Sequence, residues 1–125
     1  MRILIADDSE IVRRGLISIL ATQMDWEVCA EATNGSEAVR NARDLRPDLI
    51  LLDVSMPGGM SGLEAARFIR QEAPTIKIIV ISQNDAAQLL PHAIEAGADT
   101  CVDKGRLSTD LLASIRNISR PAMRL

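Results

Sequence analysis

The sequence predicts an α/β fold in which five parallel strands alternate with five helices. Short apolar runs alternate five times with segments whose apolar residues recur at helical spacing. Strands that are joined through helices require right-handed crossovers and a parallel sheet with helices on both faces. With 125 residues, 47% of them hydrophobic, the chain is long enough for one domain with a substantial core.

The five predicted strands are short and differ in pattern. They cover residues 3–6, 26–31, 48–53, 76–81 and 99–103. The second strand alternates in polarity, which is typical of an edge, whereas the continuously apolar third strand suits burial on both faces. The fourth is nearly all β-branched, as strands often are. The fifth has the weakest pattern.

Four of the predicted helices begin at a residue that can cap a helix N-terminus. These residues are Ser9, Asn34, Ser61 and Ser108. An acid lies three residues after Asn34 and after Ser61, which is the pattern of a capping box. The fourth helix is the exception. If it began at Asp85, Pro91 would lie beyond the first turn without an N–H to donate, so we expect either a kink or a late start at Pro91.

Composition and charge exclude several classes of protein. No apolar run is long enough to span a membrane, and acids lie too close to the N-terminus for a secretory signal, so we expect a cytoplasmic protein. The formal net charge is −3 and the arginines are scattered, so direct nucleic-acid binding is not expected. Cys29 and Cys101 form no CxxC pair, and we interpret both as small buried hydrophobic residues.

Polar side chains are predicted at the C-terminal ends of four strands. They are Asp7 and Asp8 after the first strand, Asp53 at the third, Ser82 at the fourth and Lys104 at the fifth. These ends meet at one edge of a parallel sheet, where open α/β folds bind ligands. Neighbouring carboxylates raise each other's proton affinity unless a cation binds, and oxygen ligands suit Mg²⁺. A carboxylate held there can also attack phosphorus, with Mg²⁺ and an ammonium group neutralising the transferred charge.

Further short motifs accompany these strand ends. Met56-Pro57 and Gly62 follow Asp53, and Gly97-Ala98 precedes Lys104. In this order and at these separations, the motifs resemble the receiver domain of two-component response regulators over almost the whole chain. The segments 8–16, 26–28 and 46–48 look most like the NarL/FixJ subfamily, whose full-length members usually continue into a helix-turn-helix DNA-binding domain.

The resemblance implies a flavodoxin-like fold, a doubly wound (βα)5 with strand order 2-1-3-4-5. In that order Cys29 and Cys101 lie on opposite edges, roughly 19 Å apart at about 4.8 Å per strand, so they should not pair. The receiver domain is expected to cover residues 1–120. Residues 121–125 would be a C-terminal tail or the start of a linker to an output domain that this chain lacks.

The resemblance also implies how the acids divide their roles. Asp53 is the expected phosphoacceptor for a histidine kinase, a phosphotransfer protein or a small acyl phosphate. Asp8, Asp53 and the backbone carbonyl of Ser55 would bind Mg²⁺ or Mn²⁺ directly. Asp7 would act on the metal mainly through water.

Lys104 and Ser82 complete the implied set. Lys104 would pair with the phosphoryl group, and Ser82 would move to hydrogen-bond it. The domain would assist its own phosphorylation and dephosphorylation without turning over a separate small molecule. The domain is also expected to form a homodimer through the face of the fourth and fifth helices. Direct contact with nucleic acid or a membrane is not expected.

Four features depart from the family pattern. Cys101 stands where an aromatic residue usually turns inward, so we expect signalling to depend on main-chain movement around 82–85 and in the fourth helix. Ser82 replaces the commoner threonine, which can make the same bond. The segment 56–62 is one residue longer than usual, and the bulky Gln83 borders the site, where it can restrict attacking water.

Two other interpretations remain open. A phosphotransferase resembling the haloacid dehalogenases would also use an Asp nucleophile and Mg²⁺, but it needs a second Asp two residues later, where this chain has Ser55. A degenerate receiver that only contacts proteins is the other, and the complete acidic set with Lys104 argues against it. His92 is interpreted as a surface residue.

Overall fold

The computed structural model describes residues 1–83 and 85–119, which form a parallel sheet covered by helices. The strands are β1 (Arg2–Ala6), β2 (Glu27–Ala32), β3 (Leu49–Asp53), β4 (Lys77–Ser82) and β5 (Thr100–Asp103). The helices are α1 (Glu10–Leu20), α2 (Gly35–Leu45), α3 (Gly62–Glu72), α4 (Ala86–Glu95) and α5 (Leu107–Ser119). All strand pairs are parallel in the order β2-β1-β3-β4-β5, so the predicted flavodoxin-like (βα)5 fold is confirmed. The predicted tail, 121–125, lies outside the described residues.

Two hydrophobic clusters fill the two faces of the sheet. On one face, Leu4 and Ile50 pack with buried residues of α2, α3 and α4. On the other face, Ile5 and Leu51 pack with buried residues of α1 and α5. All of β3 is buried, as its apolar run predicted, and each of its four apolar side chains before Asp53 contributes about 1.5–3 kcal/mol of stability. In the part of the chain that is described, no helix combines the length and apolar character needed to cross a bilayer.

The edge strands hold the two cysteines. Cys29 lies in β2 and Cys101 in β5, at opposite edges of the sheet, and both are free thiols, as predicted. Each is half-buried rather than buried, which corrects the prediction. The physical reason is that an edge strand has a neighbouring strand on one side only.

Three of the predicted N-caps are confirmed. The side chains of Ser9, Asn34 and Ser61 accept backbone hydrogen bonds from three residues further on, at 3.3, 2.8 and 3.1 Å. Glu64 accepts a bond from the Ser61 amide at 3.2 Å, which completes the capping box of α3. These caps fix where the helices start relative to the strands before them.

The helix α4 starts earlier than one of the two alternatives predicted for it, a late start at Pro91. The helix begins at Ala86 and contains Pro91, so a late start at Pro91 is wrong. Asp85 adopts a left-handed backbone with φ of 45°, and its side chain accepts a hydrogen bond from the Gln88 amide at 3.1 Å. This cap stabilises the first turn ahead of Pro91, so the proline removes one hydrogen bond without preventing the helix.

The predicted cap of α5 is also wrong. A 3₁₀ turn at Lys104–Arg106 continues directly into a helix that begins at Leu107, so Ser108 lies inside the first turn. A 3₁₀ turn often precedes an α-helix, and here it replaces the separate capping residue that the sequence pattern suggested.

The start of α3 lies directly against the end of β3. The Gly62 amide donates a hydrogen bond to the Val54 carbonyl at 2.9 Å. A Cβ atom at Gly62 would overlap the carbonyl oxygen of Asp53. No larger residue fits at this position without a backbone shift. The close packing of Gly62 against the Asp53 carbonyl helps to position Asp53.

We expect Gly62→Ala to lower the free energy of unfolding by about 1–3 kcal/mol, because the backbone at Asp53 must shift to admit a methyl group. Gly15→Ala is the matched control, since Gly15 lies within α1 with no atom near its Cβ position. The control should gain about 0.5–1 kcal/mol from helix propensity. Urea denaturation measures both values, and a Gly62→Ala protein as stable as the wild type would contradict the packing argument.

Candidate functional site

Carboxylates from two neighbouring strands meet at the C-terminal edge of the sheet. β1 pairs with β3 so that Ala6 lies beside Leu52, and the acids follow at the next positions. Asp7, Asp8 and Asp53 each place one carboxylate oxygen within 4.8 Å of the others. Asp7 and Asp53 are buried, whereas Asp8 is exposed, so the cluster is open to solvent on the Asp8 side.

The ammonium group of Lys104 joins this cluster from the end of β5. Its Nζ lies 3.3 Å from Asp7 Oδ2 and 3.3 Å from Asp53 Oδ2. Because β4 separates β3 from β5, the side chain extends past the end of β4 to reach both acids. The structure thus brings the three acids and the Lys104 amine together, as the sequence predicted.

The buried carboxylate of Asp7 has one oxygen without a hydrogen bond. Asp7 Oδ1 accepts from the Ser9 amide at 2.8 Å. Asp7 Oδ2 faces the Lys104 ammonium but receives no directed hydrogen bond from any group in 1–83 or 85–119. The Lys104 ion pair offsets part of the cost of burying this oxygen, which can accept a cation or an ordered water as a further partner.

Asp53 combines deep burial with several charged neighbours. Its Oδ1 accepts a hydrogen bond from the Ser55 amide at 3.2 Å, and its Oδ2 accepts one from Lys104 Nζ at 3.3 Å. Burial and then the negative charge of Asp7 raise the pKa of Asp53, and the bonds from Ser55 and Lys104 only partly offset them. The ionised form of Asp53 is therefore less favourable than in water, and additional positive charge nearby would stabilise it.

Lys104 responds to the same environment in the opposite direction. Burial by itself lowers the pKa of Lys104, but the charges of Asp53 and Asp7 outweigh burial and raise the pKa overall. The side chain stays an ammonium ion at neutral pH. It is a fixed positive group beside the carboxylates.

The donor set fits a hard cation. Three carboxylates against one ammonium leave an excess of two negative charges, and every available ligand atom is an oxygen. Mg²⁺ and Mn²⁺ prefer such ligands. Asp7, Asp8 and Asp53 are brought together as predicted, whereas Ser55 contacts the site through its amide, so metal binding by its carbonyl stays a prediction.

Ser82 lies at the same sheet edge but is engaged with β5. This buried residue ends β4, and its hydroxyl donates a hydrogen bond to Asp103 Oδ1 at 3.1 Å. Burial raises the pKa of the neighbouring Cys101 thiol. The same oxygen of Asp103 accepts a hydrogen bond from the Ala86 amide at 2.7 Å. Sequence reasoning missed Asp103, although an acid directly before Lys104 was a visible signal.

A groove of about 440 Å³ lies beside the site, between the ends of β3 and β4 and the helix α4. Its lining includes Val54, Ser82, Gln83, Leu89 and His92. His92 is exposed, as predicted, and Gln83 is an exposed residue at the rim. The predicted restriction of attacking water by Gln83 remains a prediction.

The loop after β3 packs against the start of α2. Gly58 and Gly59 have positive φ values of 97° and 86°, which only glycine adopts readily. Met60 contacts Gly35 so closely that a Cβ at Gly35 would lie 2.8 Å from the Met60 carbonyl oxygen. The segment 56–62, whose placement the sequence left open, therefore lies along the N-terminus of α2.

Comparison with known proteins agrees with this geometry. The family model described as the response regulator receiver domain matches residues 3–116. The response regulator protein VraR of Staphylococcus aureus is 37% identical over 120 residues, which are 96% of this chain and 57% of VraR. The chain thus spans little more than half the length of the curated relatives it matches.

Two solved structures show the same fold at significant identity. A two-component response regulator of the LuxR family from an Aurantimonas species is 34% identical, with a TM-score of 0.88 over 98% of this chain and 88% of that one. The isolated receiver domain of RcsB from Salmonella enterica serovar Typhimurium, determined with the phosphomimetic BeF₃⁻, is 26% identical, with a TM-score of 0.84 over 94% of this chain and 87% of that one. From its fold, its acidic strand ends and these matches, the chain belongs to the response regulator receiver domain family of two-component systems, with its likeness to the NarL/FixJ (LuxR-type) subfamily confirmed.

Proposed function

We propose that Asp53 accepts a phosphoryl group from a histidine kinase, a phosphotransfer protein or a small acyl phosphate. The observation that carries this proposal is the contact between Asp53 Oδ2 and Lys104 Nζ at 3.3 Å, with Asp7 and Asp8 beside it. A nucleophilic carboxylate, a fixed ammonium group and acids suited to a divalent cation form the set that phosphoryl transfer requires. Membership of the receiver family supports the same chemistry.

In the proposed reaction, a carboxylate oxygen of Asp53 attacks the phosphorus of the donor. A bond forms between that oxygen and phosphorus, and the bond from phosphorus to the donor nitrogen or oxygen breaks, with the electron pair leaving on the donor. The product is an acyl phosphate on Asp53. The cation, when bound, supplies positive charge beside the transferring oxygens.

The receiver family implies roles for the residues around Asp53. Asp8, Asp53 and the Ser55 carbonyl would hold Mg²⁺ or Mn²⁺ directly, and Asp7 would act mainly through water; the grouping of the three carboxylates supports these roles. Lys104 already lies within ion-pair distance of the acceptor oxygen, so it needs little movement to pair with the phosphoryl group. Burial and the charge of Asp7 raise the pKa of Asp53, and a cation held by these acids would offset both effects and favour the nucleophilic carboxylate.

Ser82 is proposed to exchange its partner when the phosphoryl group arrives. Its hydroxyl, now bonded to Asp103, would turn to donate to a phosphoryl oxygen on Asp53. This rearrangement would alter the face formed by α4, β5 and α5, which we propose as the surface for homodimerisation or for regulating a DNA-binding output domain. Unchanged association and amide exchange on that face after phosphorylation would contradict this part of the proposal.

The wider assignment follows from the receiver family. We propose that the domain covers residues 1–120, acts in the cytoplasm and carries only self-directed phosphotransfer and dephosphorylation activity. The residue two positions after Asp53 is Ser55, which cannot serve as the general acid of an Asp-based hydrolase. No direct contact with nucleic acid or a membrane is proposed for this chain.

Incubation with acetyl phosphate and Mg²⁺ should add one phosphoryl group to the wild-type protein, as measured by intact mass. Asp53→Asn should remain unmodified because an amide is not the required nucleophile. Asp110→Asn is the matched control, since Asp110 pairs with Arg106 away from the cluster, and it should be modified as the wild type is. Modification of Asp53→Asn would contradict the assignment, and continuous phosphate release without an accumulated adduct would favour the phosphotransferase interpretation.

Asp53 should also make stability depend on pH and on metal. Because its pKa in the folded protein lies above the ordinary 3.8, Asp53 contributes stability that is present below that value and lost as the pH rises through the folded-state pKa. In EDTA, Asp53→Asn should therefore gain stability relative to the wild type as the pH is raised from about 3.8 to neutral. Thermal unfolding across this range measures the difference.

Mg²⁺ should reverse the order of stability at neutral pH. At a concentration about 100-fold above its dissociation constant, it should stabilise the wild type by about 2.7 kcal/mol through mass action and Asp53→Asn by less. Asp25→Asn, which removes an exposed acid distant from the cluster, should respond to Mg²⁺ as the wild type does. Equal stabilisation of the wild type and Asp53→Asn would show that Asp53 does not bind the metal.

A further inference from the structure

A single carboxylate oxygen joins three elements beside the proposed phosphorylation site. Asp103 Oδ1 accepts a hydrogen bond from the Ser82 hydroxyl at 3.1 Å and another from the Ala86 amide at 2.7 Å. Ser82 and Asp103 are paired residues at the ends of β4 and β5, so the sheet register sets them side by side. Ala86 is the first residue of α4. Asp103 therefore connects the proposed switch residue to the start of a helix on the proposed output face.

The hydrogen bond from Ser82 to Asp103 competes with the one that phosphorylation would require. A serine hydroxyl has one proton to donate. If Ser82 donates it to Asp103, it cannot also donate it to a phosphoryl oxygen on Asp53. The two arrangements exclude each other, so the Asp103 contact opposes the movement of Ser82 toward the phosphoryl group.

The first turn of α4 depends on partners outside the helix. The amides at a helix N-terminus lack intrahelical acceptors, and Asp103 satisfies the one at Ala86. Its negative charge near the helix N-terminus is also favourable. Asp85 starts the turn from a left-handed conformation, and Pro91 removes a hydrogen bond later in the helix. A change at Asp103 would therefore affect the first turn of α4, which Asp85 also caps.

The surroundings of Asp103 leave room for a rearrangement. A groove of about 190 Å³ lies between α4, β5 and α5, lined in part by Ala86, Cys101, Asp103 and Asn117. Cys101 also lines this groove but carries no ring that could fill it. Among the described residues, the carboxylate of Asp103 connects Ser82 to α4 through its hydrogen bonds to the Ser82 hydroxyl and the Ala86 amide.

We propose that Asp103 is a positioning residue that retains Ser82 in the unphosphorylated conformation and transmits its movement to the first turn of α4. This inference rests on the proposed phosphoryl acceptance at Asp53. When Ser82 turns toward the phosphoryl group, Asp103 Oδ1 loses the Ser82 donor, and its bond to the Ala86 amide is free to change. A cap that serves only the stability of α4 would not couple to Ser82 in this way.

The test measures the binding of BeF₃⁻ in excess Mg²⁺ by isothermal titration calorimetry. Asp103→Ala should bind BeF₃⁻ about tenfold more tightly than the wild type, because Ser82 no longer has to leave a charged acceptor. Asp103→Asn, which keeps an acceptor oxygen but loses the charge, should show a smaller gain. Asp110→Asn removes an acid from the same groove without touching Ser82 and should bind as the wild type does.

The same substitutions in a Ser82→Ala background separate the proposed contact from a general charge effect. Removing a negative charge near the site can strengthen anion binding by itself, and that effect would persist without the Ser82 hydroxyl. The proposal requires the gain from Asp103→Ala to be several-fold smaller in Ser82→Ala than in the wild-type background. A gain of equal size in both backgrounds, or no gain in either, would overturn it.

Amide hydrogen exchange supplies a readout at α4. Exchange at 86–90 should rise in the wild type on adding BeF₃⁻ and should already be raised in Asp103→Ala without it. If Asp103→Ala does not fold, Asp103→Asn decides the question by both measurements. Absence of Asp53-dependent BeF₃⁻ binding in the wild type would defeat the proposed function and this inference together. If the wild type binds BeF₃⁻ and the Asp103 variants bind it with the same affinity and show the same amide exchange, this inference alone is wrong.

Discussion

The ion pairs between Lys104 and the buried carboxylates of Asp7 and Asp53 are the interaction on which the site depends. The two acids come from neighbouring strands, and at this separation their negative charges repel each other unless a positive group lies between them. Lys104 supplies one charge, which leaves the cluster negative and Asp53 with a raised pKa. The same imbalance suits the cluster to a divalent cation, and cation and ammonium together suit it to a phosphoryl group. The proposed metal site and the proposed nucleophile are thus two consequences of one charge arrangement.

Burial and strand register fix this arrangement in the fold. β3 is covered on both faces, so its direction and its end point are strongly determined, and Asp53 is its last residue. The close contact of Gly62 with the end of β3 holds α3 against that point. Lys104 reaches the acids because β5 ends level with β4, as the pairing of Ser82 with Asp103 shows. A shift in any of these registers would separate the amine from the carboxylates.

Much of the fold could be predicted because its signals are local and repeated. Apolar strands that end in polar residues, together with the caps at Ser9, Asn34 and Ser61, gave the element order and the gathering of the acids. The errors arose where tertiary contacts override local rules. Pro91 suggested either a kink or a late start of α4, and the late start is wrong because Asp85 and Asp103 stabilise the earlier turn. Ser108 looked like a cap, but a 3₁₀ turn runs directly into α5. Asp103 itself was missed because its importance arises from the register of β4 and β5, which single-sequence patterns do not specify.

The most direct test of the central claim is a crystal structure of the protein grown with Mg²⁺ and BeF₃⁻. The charge arrangement predicts Mg²⁺ with ligand distances of about 2.0–2.1 Å to oxygens of Asp8 and Asp53, and BeF₃⁻ bound to the Asp53 carboxylate within ion-pair distance of Lys104 Nζ. Electron density for both groups at another location, or a Lys104 side chain directed away from Asp53 in their presence, would contradict it.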